Sequence, residues 1–147
     1  MELADEAAAA GDVPVGAVLV SGELLLEAKN EKEARPDPTA HAEMLLIREA
    51  ALRMGAWRLG EATLYVTKEP CVMCAGAIIA ARLKRVVYAA HDPKGGADGG
   101  AFDVLQSWRT NHRLEVSAGV LEDEASEQLR RFFREKRTPP PEEGIDA

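Results

Sequence analysis

The sequence predicts an α/β three-layer sandwich, α/β/α, around a mixed five-stranded sheet, and three observations predict it. Short β-branched apolar runs alternate with helical segments along the chain, the pattern of a sheet with helices on its faces. The first two runs are parted only by Ser21-Gly22-Glu23, a tight turn that pairs them antiparallel. The third and fourth are joined by a segment of helical length, which makes them parallel.

Each element has its own signal. Residues 2–10 are alanine-rich and read as a short helix closed by Gly11-Asp12. VPVGAVLV (13–20) is a buried strand and LLLEAK (24–29) its hairpin partner. Residues 30–38 are polar and contain proline, hence a loop. Asp37-Pro38 gives a start signal, a capping residue followed by proline, for a helix that runs to about Met54. ATLYVT (62–67) is a strand, Pro70 opens a helix that ends near Leu83, and RVVYAA (85–90) is a strand. DPKGGADGG (92–100) is a glycine-rich loop, RLEVSAG (113–119) the last strand, and 122–137 a terminal helix. TPPPEEGIDA reads as a disordered tail, so the expected organisation is one domain over 1–137 and a tail over 138–147.

Composition excludes several classes. A hydrophobic share of 46% argues against a disordered chain. No apolar run approaches the roughly 20 residues needed to cross a bilayer, and the acidic start has no basic segment of the kind that opens a signal peptide. The expected setting is cytoplasmic, with no membrane partner. Net charge is −7, which by itself argues against a nucleic-acid partner. The distribution says otherwise: RRFFREKR (130–137) carries five positive charges and one negative.

The chemistry lies in His41-Ala42-Glu43 and, 28 residues after Glu43, the cysteine of Pro70-Cys71-Val72-Met73-Cys74. In a reducing compartment, Cys-x-x-Cys points to metal or redox chemistry. Alone it is equally a redox pair or a chance buried pair, and His-x-Glu alone is weaker. Together, each beside a proline-marked helix start, they give one nitrogen and two thiolate ligands. That is the set of a catalytic zinc site, which keeps its fourth position open. Cys71 and Cys74 share a helix face by i,i+3 spacing. Placing each ligand set in a first helical turn aims positive helix ends at the metal and favours thiolate. Glu43, two residues from His41, does not share its face, so its role is proton transfer and not ligation. A structural zinc site would need a fourth ligand; His91 and His112 are the other histidines, and both read as solvated or core residues.

With these motifs the chain resembles the bacterial tRNA adenosine deaminases of the cytidine deaminase superfamily, whose H-x-E…P-C-x-x-C signature is a known marker. The resemblance extends over DVPVGAVLV (12–20), DPTAHAE (37–43), EPCVMCAGAI (69–78), RVVYAAHDPKGGADGG (85–100), NHRLEV (111–116) and the segment 119–137. It implies one zinc ion per subunit, a homodimer, and a tRNA anticodon stem-loop as substrate. Its wobble adenosine would be flipped into the pocket and hydrolysed to inosine by attack of activated water at C6, with Glu43 as proton shuttle. Carried over by position, Asn30 should hydrogen-bond the nucleoside, and the backbone of Ala42 and Pro70 should line the pocket. Asp92 should lie near the ribose. Phe132 and Phe133, with Arg134 and the basic residues after it, should meet the anticodon loop, while at least one of the two phenylalanines packs the helix onto the core. The chain departs from the family at Lys68, where leucine is usual, at Glu31-Lys32, at Gly99-Gly100-Ala101, and in a shorter first helix. The rival reading is a deaminase of guanine, cytosine or a free nucleoside, which needs no basic aromatic end. A non-catalytic zinc module has no use for Glu43.

Overall fold

The computed structural model describes residues 1–137; the expected tail, 138–147, lies outside the described residues. The elements are α1 (Glu2–Ala9), β1 (Gly16–Ser21), β2 (Leu24–Lys29), α2 (Ala42–Met54), β3 (Thr63–Lys68), α3 (Val72–Ala80), β4 (Arg85–Ala90), β5 (Glu115–Ala118) and α4 (Glu122–Arg137). The five strands form one sheet in the order β2-β1-β3-β4-β5. β1 is antiparallel to β2 and to β3, while β4 is parallel to β3 and to β5. The sheet is mixed, as the hairpin and the helical crossover require.

Alternation along the strands sorts the core. Ala17 and Leu19 of β1, Leu64 and Val66 of β3, and Val86 of β4 form one cluster with Leu46 and Ala50 of α2 and Ala75 and Ile78 of α3. Leu46, Leu64 and Ile78 are almost fully buried, each contributing about 1.5–3 kcal/mol. A second cluster joins Ala89 and Ala90 of β4 to Ala125 and Leu129 of α4. α1 lies beside α4, where the Gln128 amide donates to the Met1 carbonyl at 3.1 Å and to Asp5 Oδ1 at 2.7 Å. Together with the sheet, these helix pairs make the three layers.

Some boundaries move, for identifiable reasons. α2 starts at Ala42, not at Asp37-Pro38. The Asp37 carboxylate instead accepts from the Thr39 N–H and hydroxyl, both at 2.8 Å, which spends the residue on a local turn ahead of the helix. α2 ends on Gly55 in the left-handed conformation (φ 63°), a helix stop that favours glycine. β1 starts at Gly16 because Pro14 has no N–H to give and the Val15 N–H turns back to the Val13 carbonyl at 2.8 Å. β5 is confined to 115–118 because β4, its partner, begins opposite Glu115 at Arg85.

Candidate active site

His41 is the N-cap of α2 and Cys71 the N-cap of α3, both with extended backbone. Cys74 lies one turn into α3. Two helix N-termini, on either side of β3 in sequence, thus deliver their side chains to one place. The His41 Nδ1 atom is 3.6 Å from Cys71 Sγ and 3.4 Å from Cys74 Sγ, and all three donor atoms lie within 4.8 Å of one another. Tetrahedral zinc with Zn–N of about 2.05 Å and Zn–S of about 2.3 Å requires N···S separations of about 3.6 Å. The residues therefore fit zinc in both type and spacing.

The electrostatics agree with that fit. A hydrogen bond from Cys74 holds the Cys71 thiol down at about 3, with His41 adding to the effect. The same bond, together with burial, pushes Cys74 far up. His41 is raised, first by its bond to Cys71. Glu43, in the first turn of α2, is buried, and burial raises its carboxyl. Among the described residues, Glu43 does not join the converging donors. Neither do the other histidines: His112 Nε2 lies 2.7 Å from the Leu83 carbonyl, and His91 is exposed.

His41, Glu43 and Cys71 share a cavity of about 70 Å³ with Asn30, Lys32, Lys68 and Glu69. Asn30 is buried, and its Oδ1 accepts the Ala42 N–H at 2.9 Å. It thereby caps α2 from the end of β2 and leaves its amide nitrogen for other partners. Ala42 and Pro70 are buried but are not among the wall residues of the cavity. Their backbones are engaged elsewhere, Ala42 with Asn30 and the Pro70 carbonyl with the Ala97 N–H at 2.8 Å.

A wider groove of about 650 Å³ adjoins the cavity, walled by Lys68, His91, Asp92, Lys94, Leu129, Phe133, Lys136 and Arg137. Asp92 therefore belongs to the groove. Its Oδ1 accepts from the Lys94 and Gly95 N–H groups at 3.1 and 3.2 Å, and its Oδ2 is 3.0 Å from Lys68 Nζ. Burial works against the charged form, but Lys68 and the two N–H groups prevail and hold Asp92 below the usual carboxylate range. Phe133 is 42% exposed, whereas Phe132 is 8% exposed and packs inward. Arg134 is not a wall residue; it pairs with Glu127 at 3.1 Å, as does Arg130 at 3.5 Å. The basic residues that reach the groove from α4 are Lys136 and Arg137.

Sequence reasoning missed Glu69. Its side chain is fully buried, yet it accepts three backbone N–H groups of the glycine-rich loop, from Asp92 (3.0 Å), Asp98 (2.9 Å) and Gly100 (3.3 Å). A Cβ at Gly96 or Gly100 would overlap the Glu69 carboxylate or the Asp92 carbonyl. The glycines of 92–100 are thus needed for close approach to a buried charge, and Cys71 itself bridges to Gly96. The signal was present: an acid just before the Pro-Cys strap and an unassigned glycine pattern 23 or more residues later.

The MafB19-like deaminase family matches residues 1–137. A tRNA-specific adenosine deaminase of Bacillus subtilis (strain 168) is 53% identical over 128 residues, covering 86% of this chain and 80% of the relative. A solved structure from work on A-to-I editing by tRNA:A34 deaminases at the wobble position superposes with a TM-score of 0.81 at 42% identity, covering 87% of this chain and 94% of that one. A guanine deaminase from Bacillus subtilis superposes with a TM-score of 0.60 at 33% identity, over 95% and 91% of the two chains.

Proposed function

The chain belongs to the MafB19-like deaminase family, among relatives named tRNA-specific adenosine deaminases, and from that premise we propose that it hydrolyses the wobble adenosine of a tRNA anticodon to inosine, residues 1–137 forming the deaminase domain. The observation that supports this best is the junction of the donor cavity, with Glu43 in its wall, and a groove bearing Lys94, Phe133, Lys136 and Arg137. A free base needs only the cavity; a folded RNA also needs a basic, aromatic surface for its backbone and loop bases.

His41, Cys71 and Cys74 would hold one zinc ion per chain, which when bound supplies the Lewis acidity that makes water a nucleophile near neutral pH. Glu43 takes a proton from the attacking water and passes it to the ring nitrogen, then takes the remaining proton of the new C6 hydroxyl and gives it to the leaving amine, so that adenosine and water give inosine and ammonia. Its burial beside His41 and Cys71 keeps these transfers away from bulk water. The Asn30 amide nitrogen donates to the base, Asp92 accepts from the ribose 2′-hydroxyl, and Phe133 stacks on a loop base. The reading includes a cytoplasmic homodimer, for which the exposed Leu52, Met54 and Trp57 at the end of α2 supply apolar surface.

The test is to incubate the zinc-loaded protein with an anticodon stem-loop and, separately, with free adenosine, cytidine and guanine, assaying inosine and ammonia. Inosine from the stem-loop with little release from the free compounds is the expected result. Rapid ammonia release from guanine with none from the stem-loop would make the protein a free-base deaminase.

A further inference from the structure

Lys68 is the one residue, among those described, that belongs to the walls of both the cavity and the groove. It ends β3, in register with Ala90 of β4, and the following Glu69 N–H donates to the Ala90 carbonyl at 2.7 Å. Its backbone is therefore fixed. Its side chain is 27% exposed, with Nζ 3.0 Å from Asp92 Oδ2. We propose that Lys68 binds a backbone phosphate of the nucleotide whose base occupies the cavity; the proposal rests on the tRNA reading above.

The chemistry follows from where Lys68 stands. A nucleotide entering the cavity base-first leaves its phosphates at the threshold between the two spaces. An ammonium carries three donors and no acceptor, and Asp92 engages it on one side only. A partly exposed pair of this kind is weak, about 1 kcal/mol or less, so it yields readily to a shared arrangement in which Nζ bonds Asp92 and a phosphate together. A net charge of −7 leaves a polyanion dependent on local cations. The groove supplies Lys94, Lys136 and Arg137 farther out, and Lys68 is the cation at the point of entry. Specificity follows as well: a free base has no phosphate for this contact, so Lys68 favours polynucleotide over base.

The test is equilibrium binding of the zinc-loaded protein to an inosine-bearing anticodon stem-loop across roughly 50–200 mM salt. Lys68→Met keeps the aliphatic stem and removes the charge. It should weaken binding about 5- to 10-fold at the low-salt end and reduce the slope of log K against log salt by about 0.7–0.9, the share of one phosphate. Lys68→Arg should restore the slope. Because Lys68→Met also exposes the Asp92 charge, the pair is repeated in an Asp92→Asn background. The same loss of slope is expected there. If the effect of Lys68→Met vanishes in that background, Lys68 is only the counter-ion of Asp92 and the proposal is overturned. An unchanged slope in the single variant, with zinc content and melting temperature intact, overturns it too. A wild-type protein that neither binds nor deaminates the stem-loop would sink the tRNA reading, and this proposal with it.

Discussion

Replacing Glu69 by glutamine isolates the charge that organises the glycine-rich loop. The carboxylate accepts from three N–H groups at 3.0, 2.9 and 3.3 Å with no exposed side-chain surface. Glutamine keeps the shape and one oxygen. With that oxygen in the Oε2 position, the bonds from Asp98 and Gly100 survive as neutral ones, each weaker by about 1 kcal/mol. The new NH₂ then faces the Asp92 N–H, donor against donor, and a buried unpaired donor costs about 1–3 kcal/mol. Relief from burying a charge offsets part of this, leaving a net loss of about 3 kcal/mol. For a chain of this size that lowers the melting temperature by about 10 °C. The assay is calorimetric melting of zinc-loaded Glu69→Gln against wild type, with hydrogen exchange at the amides of Asp92, Asp98 and Gly100. These three amides should lose protection together. A melting point within about 2 °C of wild type, with the three amides still protected, would refute the role assigned to Glu69.

The other predictions concern the metal, the proton shuttle and the groove. Wild-type protein should carry about one zinc per chain by elemental analysis, and Cys74→Ser should lose both the zinc and the activity; a fully active metal-free variant contradicts the site. Glu43→Ala should retain zinc and fold while deamination falls by about 10²- to 10⁴-fold, and loss of zinc instead would make Glu43 a ligand. Lys136→Ala with Arg137→Ala, leaving both phenylalanines in place, should weaken stem-loop binding and flatten its salt slope by about 1.4–1.8. Normal affinity and slope would show that the end of α4 is only a solvated face.

Much of this was legible in the chain because local rules and tertiary packing agree. The Ser21-Gly22-Glu23 turn and the helical crossover between the third and fourth strands set the sheet's mixed pairing. The terminal helix read over 122–137 has the bounds of α4. His41, Cys71 and Cys74 come together because a β-α-β arrangement brings the starts of two helices side by side, and the motif marks those starts. What escaped was the use of side chains on backbone groups. Asp37 looked like a helix cap and instead serves Thr39. Asn30, from a loop 12 residues earlier, meets the first N–H of α2. Arg134 was expected at the anticodon loop with the basic residues after it, but it pairs with Glu127, and the α4 charges in the groove wall are Lys136 and Arg137. Glu69 was hidden because a buried acid is legible only when its donors are known, and these lie across a loop.

The two sides of the groove differ in how freely they can be altered. Residues 92–100 are hung from Glu69, tied to Pro70 through Ala97, and bridged to Cys71 at Gly96. A side chain at Gly96 or Gly100 would press on the Glu69 carboxylate or the Asp92 carbonyl, and Gly96 is the residue that bridges to Cys71. The far side consists of side chains on the last turns of α4, anchored through Leu129 and Phe132, with no such tether to His41, Cys71 or Cys74 among the described residues. Variation in the groove wall therefore has room at Phe133, Lys136 and Arg137 and at the exposed Lys94, and none at Gly96 or Gly100. A library built to shift the substrate range belongs on the helix and at Lys94, and one that fills Gly96 or Gly100 would break the hold of Glu69 on the loop.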